Sequence, residues 1–144
     1  MAESTDSIVE LYREHTQLTE PSAELVAELL ALLEPGERVL FTCGWTEMGE
    51  KWGPPAQLTV TTRRIVDQRS AGEGERPSAR VIALRDVLAV ASRAAPALFS
   101  TRALVVALAG GATLQWEDLT NHQIEPAVAA IEAALGSVSW VCSR

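Results

Sequence analysis

Hydrophobic positions along the chain change period twice. Ile8, Leu11, Tyr12 and His15 recur at helical spacing while Glu10, Arg13 and Glu14 point away, which predicts an amphipathic helix. Leu18 to Pro21 breaks that pattern. A second helix is expected to begin with Pro21 at its first position, where a fixed φ and a missing N–H cost nothing. Leu25, Val26, Leu29, Leu30 and Leu33 make a wide apolar stripe on it, opposite Glu24 and Glu28, and Pro35-Gly36 ends it.

From Arg38 the period falls to two. Arg38–Cys43 reads as a strand with Val39, Phe41 and Cys43 on one face and Leu40 and Thr42 on the other. Gly44 to Pro55 reads as a long loop. Ala56–Thr61 alternates, Leu58 and Val60 inward against Gln57, Thr59 and Thr61. Arg64–Arg69 follows so closely that Thr62-Arg63 must turn the chain as a tight hairpin. Ser70–Pro77 is rich in turn residues and reads as a loop. Four more strands follow: Arg80–Leu84, Val87–Ser92, Arg102–Leu108 and Thr113–Trp116. Gly110-Gly111 supplies the positive φ angles of the last hairpin. Helical spacing then returns, with Ile124, Val128, Ile131 and Leu135 on one face, Pro126 in the first turn and Gly136 as the stop.

Seven short antiparallel strands and one closing helix form a sheet that rolls into an incomplete barrel with a helix in its opening. A doubly wound α/β fold needs helices between strands, and gaps this short hold none. The expected class is α+β, mainly β, with two N-terminal helices. Residues 1–37 form a helical extension packed on the domain or on a partner copy, 38–136 the barrel with its capping helix, and 137–144 a loosely ordered tail.

The stretch from Leu33 to Leu135 resembles the bacterial pleckstrin-homology-like domains. The resemblance lies in Leu-Glu-Pro-Gly-Glu-Arg-Val-Leu (33–40), Leu-Thr-Val-Thr-Thr-Arg-Arg-Ile-Val (58–66) and Val-Ile-Ala-Leu-Arg-Asp-Val-Leu-Ala-Val (81–90). The Gly-Gly hairpin with its closing helix completes it. These pieces match the turn into the first strand, the second-to-third-strand hairpin and the fourth-to-fifth-strand segment in order and spacing. The resemblance implies a seven-stranded, partly open barrel that binds rather than catalyses.

Composition supports a core without staples. The chain has 144 residues, 47% hydrophobic and 22% charged; one domain of that size buries roughly 70% of its unfolded surface. Cys43 and Cys142 have no metal or redox spacing. The net charge of −7 is unevenly placed: residues 1–37 carry −8, residues 38–100 carry +3 and the remainder −2. Such a balance argues against nucleic acid. Solvated helix faces account for the asymmetry, with packing of the acidic segment near the basic one as the alternative. The first residues lack the basic-then-apolar order of a signal peptide, and apolar runs such as Ala103–Ala109 are too short to span a membrane. A cytoplasmic protein is expected.

Catalytic chemistry finds no constellation. His15 and His122 stand without metal-spaced partners, Glu117-Asp118 would point to opposite sides of an extended chain, and no phosphate loop or nucleophile elbow is present. Neither enzyme activity nor a cofactor or metal is expected. Two surface features remain. Trp45, Met48, Lys51 and Trp52 lie on one loop, and tryptophan and methionine are enriched at recognition surfaces. Arg63, Arg64, Arg69, Arg80 and Arg85 form a candidate basic patch on the middle strands, though alternation lets only part of it share a face.

The expected function is a non-catalytic module that binds a protein partner or itself, with a dimer as one form. Peripheral lipid or membrane-surface binding through Trp45 and Trp52 is the alternative. In the eukaryotic relatives the corresponding loop holds inositol phosphates through several bases. Here Lys51 is its only base, against Glu47 and Glu50, which argues against phosphoinositides.

Overall fold

The structure is a computed structural model that describes residues 3–16, 20–45, 56–69, 78–94 and 101–142. Helix α1 spans Thr5–His15 and opens with a reciprocal cap. Ser4 Oγ accepts from the Ser7 amide at 3.2 Å, and Ser7 Oγ accepts from the Ser4 amide at 3.0 Å. Helix α2 spans Ala23–Leu32. Its cap is Ser22, which takes the Leu25 amide, so Pro21 stands outside the helix rather than at its first position.

Strands β1 (Val39–Trp45), β2 (Ala56–Thr61), β3 (Arg64–Arg69) and β4 (Ser78–Ala83) form one antiparallel sheet in sequence order. A 3-10 turn at Leu84–Asp86 leads to the second sheet of β5 (Val87–Ala94), β6 (Thr101–Leu108) and β7 (Thr113–Thr120). Among the described residues no strand pairing joins the two sheets, so the barrel is not closed. Helix α3 (Asn121–Cys142) packs against the interior side of both sheets.

Both expected hairpins form. Thr61 Oγ1 accepts the amides of Arg63 and Arg64 at 3.0 and 2.9 Å, which lets a residue other than Asn or Gly hold the β2–β3 turn. Gly110 and Gly111 turn β6 into β7 with φ of +97° and +94°.

Several boundaries differ from the sequence reading. β1 continues through Gly44 to Trp45, and β7 runs on to Thr120. A bulge in β1 leaves Leu40 out of register, pairing Val39 with Thr61 and Phe41 with Val60. Val39 therefore faces the N-terminal helices, while Phe41 and Cys43 face the interior. α3 passes Gly136 and ends at Cys142, with Pro126 beyond its first turn. Its buried stripe is Ile124, Ala127, Ile131 and Ala134; Val128 and Leu135 are only partly covered.

Two apolar clusters result. The main one joins Phe41, Leu58, Val60, Ile65, Leu104, Trp116 and the α3 stripe inside the barrel. The second joins Ile8, Val26 and Leu29 of α1 and α2 to Val39 and Val66 on the outer face of the first sheet. That face carries Gln57, Thr59 and Thr61 as well, all buried, because the helices and not water cover it.

A candidate binding mouth at one end of the first sheet

The first sheet's register sorts the candidate residues into two groups. At one end, Trp45 pairs with Ala56, Ala56 with Arg69 and Arg69 with Ser78. Two positions along, Cys43, Leu58, Asp67 and Arg80 form a parallel row. Residues two apart share a face, so these rows lie on the interior side with Phe41, Val60, Ile65 and Ile82. Arg69 and Arg80 thus lie at the end of the sheet where the backbone of Trp45 closes β1. Met48, Lys51 and Trp52, in the segment after Trp45, lie outside the described residues.

Arg80 organises this end. Its Nη2 donates to Asp67 Oδ2 at 3.1 Å, and its guanidinium carbon lies 5.6 Å from the ring centroid of Trp116, within cation–π range. The Arg80 side chain is 49% exposed, whereas that of Asp67 is 3% exposed. Burial pushes the Asp67 carboxyl above its ordinary range, opposed by the charges of Arg69 and Arg80, the approach of the Trp116 N–H and the Arg80 bond. Asp67 Oδ1 and Trp116 Nε1 have no well-formed hydrogen-bond partner in the protein.

The remaining arginines go elsewhere. Arg63 pairs with Glu34, and Arg64 makes a two-pronged contact with Glu37 and donates to the Leu32 carbonyl, all at the opposite end of the sheet. Arg85 sits exposed in the 3-10 turn. The five arginines do not form one patch, and two of them tie the acidic N-terminal segment to the barrel. The acidic segment thus packs near the basic one at these two pairs, the alternative to purely solvated helix faces.

The histidines are spread out. His15 stacks near Phe41, ring centroids 4.8 Å apart, and burial lowers its pKa while Glu14 pulls the other way. His122 is exposed on α3. Among the described residues no three His, Cys, Asp or Glu side chains gather as a metal site. None of their helices is long and apolar enough to cross a membrane. Asp67 escaped the sequence reading, although its place two residues after inward Ile65 is the signal that marks it.

No protein-family model matches the sequence, and no curated protein matches it. Solved structures do. A pleckstrin homology domain from Shewanella amazonensis SB2B matches with TM-score 0.53 and 16% identity, covering 78% of this chain and 86% of its own. The Vps36 N-terminal PH domain matches with TM-score 0.55 and 18% identity over 74% and 85% of the two chains. A DUF1696 family protein with a pleckstrin-homology domain, from Shewanella loihica PV-4, matches with TM-score 0.53 and 15% identity over 79% and 89%. The class is therefore defined by architecture: this chain has the pleckstrin-homology fold, the one that its sequence resembles.

Proposed function

We propose that the chain is a non-catalytic binding module that engages a protein partner or a second copy of itself at the mouth formed by Trp45, Arg69 and Arg80. The segment carrying Met48, Lys51 and Trp52 belongs to the same surface in this reading. The observation that carries it is the half-exposed Arg80, held by Asp67 over Trp116 one row from Arg69 and Trp45. A guanidinium fixed by a buried acid keeps free donors for an incoming group at little further cost in side-chain entropy.

A protein partner suits this surface better than an anionic membrane. Arg69 and Arg80 are offset by Asp67, Lys51 is outnumbered by Glu47 and Glu50, and the whole chain carries −7. The reading places the protein in the cytoplasm and assigns it no cofactor.

Three assays on the full chain test this. Particle mass in solution reads self-association. Affinity capture, compared between the unmodified chain and Arg80→Ala or Trp45→Ala, identifies a partner by its dependence on the mouth. Co-sedimentation with phosphatidylserine vesicles reads the lipid alternative. A dimer or captured partner lost in both variants is expected. Salt-sensitive vesicle binding without either would replace the protein reading with the membrane one.

A further inference from the structure

We propose that α1 and α2 form a displaceable cover over the outer face of the first sheet, hinged at the Glu34–Glu37 turn and latched at Gly44. The face beneath is unusual for a helix-covered sheet. Thr42, Gln57, Thr59 and Gln68 are all at most 1% exposed there, and only Val39 and Val66 supply apolar contact. The Thr42 and Thr59 hydroxyls bond each other at 2.9 Å, and Gln57 Nε2 donates to Thr42 at 2.9 Å. Gln57 Oε1 and Gln68 Oε1 have no partner in the protein. Lifting the helices hydrates both oxygens, which offsets part of the lost apolar contact.

The cover can lift without opening the barrel. Its apolar cluster is separate from the main core, which α1 touches through His15, whose ring centroid lies 4.8 Å from that of Phe41. Its attachments are also graded. At the hinge, Glu37 is buried among Arg64, Thr61 and the Glu34 amide, and Arg63 holds Glu34.

At the far end the fastenings are chiefly single polar contacts. Gln68 Nε2 donates to the Leu25 carbonyl and to Glu28 Oε1, both at 2.9 Å, and lifting the helices exposes that donor to water together with its unpartnered oxygen. The Gly44 amide donates to Thr16 Oγ1 at 2.9 Å, and Gln123 Nε2 donates to the His15 carbonyl at 3.0 Å. Tyr12 lies directly on Gly44, where a Cβ would stand 2.0 Å from its hydroxyl oxygen. The same Gln123 nitrogen also bonds the Gly44 carbonyl at 2.8 Å, so it keeps a partner on the sheet when α1 departs. That double contact makes Gln123 a latch that costs little to release.

Native-state hydrogen exchange on the full chain, resolved by segment, tests this. Amides of α1 and α2 exchange with protection at least a hundredfold below those of β2, β3 and α3. Gly44→Ala, which evicts Tyr12, lowers protection in α1 a further tenfold or more and leaves β2 and β3 unchanged. Gln57→Met, which removes an unpartnered oxygen, raises protection in both helices. Equal protection of helices and strands in the unmodified chain overturns the proposal. So does a uniform loss across the chain in Gly44→Ala, or lower helix protection in Gln57→Met. The unmodified chain and Gln57→Met decide it even where Gly44→Ala does not fold.

Discussion

Glu37 and Arg64 are bound to each other across the base of the first sheet, the carboxylate wholly buried and the guanidinium 17% exposed. Burial alone would raise the Glu37 pKa, but the Arg64 bond, the Glu34 amide, Thr61 and the Arg64 charge outweigh it and hold the group below its ordinary value. A carboxylate depressed in the folded state adds stability above its unfolded pKa, near 4.5, and loses it as pH falls through the folded value. Glu37→Gln should therefore cost about 1–3 kcal/mol at pH 7, the scale of hydrogen bonds to a charged group. The difference from the unmodified chain should shrink steadily below pH 4.5. Urea unfolding at pH 7 and pH 3 checks it, and a pH-independent difference would contradict the assignment.

Asp67 has the opposite sign. Its pKa is raised in the folded state, so its stabilising contribution exists below the unfolded value, near 3.8, and is lost as pH rises through the folded one. Asn reproduces the neutral group at every pH. Asp67→Asn should raise the melting temperature at pH 7 by a few degrees, the effect of roughly 1 kcal/mol on a domain of this size. The gain should vanish near pH 3.8. A lower melting temperature at pH 7 would mean that attraction to Arg80 and Arg69 outweighs burial.

How far these sites could be read in the sequence depends on what alternation reports. Period-two patterning locates all seven strands, because inward positions such as Leu58, Val60 and Ile65 need apolar side chains whatever the other face meets. It reports poorly on that other face. Gln57, Thr59 and Thr61 have the polarity of a wetted surface, yet they lie under α1 and α2, a tertiary contact that no local pattern encodes. The bulge at Leu40 is equally silent, since one extra residue moves Val39 to the helix side without altering composition. The basic set was visible, but its division was not. Arg63 and Arg64 found their acids 29 and 27 residues away in Glu34 and Glu37.

Cys43 lies at 0% exposure in the barrel core, and burial raises its thiol pKa far above the ordinary value. A buried thiol held protonated is a poor nucleophile. In a Cys142→Ala background, Cys43 should react with a disulfide reagent only as fast as the protein unfolds, reaching completion in urea. Reaction at the rate of a free thiol in native buffer would show that the interior opens locally.

The Asp67–Arg80 contact separates support of the mouth from use of it. Removing Arg80 leaves a buried carboxylate with less attraction to offset its desolvation, so Arg80→Ala should destabilise the chain although the side chain is 49% exposed. The loss includes the contact with the Trp116 ring, worth about 0.5–1 kcal/mol at an exposed site. With Asp67→Asn already present, the electrostatic part disappears and only the ring contact is left to lose. Arg80→Ala should then cost less in the Asp67→Asn background than alone, a positive coupling that a double-mutant cycle by urea unfolding at pH 7 measures. At pH 3 the coupling should fall toward zero as Asp67 becomes protonated. Binding gives a second readout. Asp67→Asn/Arg80→Ala, folded and no longer burdened by an unpaired acid, should still fail to hold a partner that needs the guanidinium. Full binding by that double variant would remove Arg80 from the recognition surface and leave it a purely structural role.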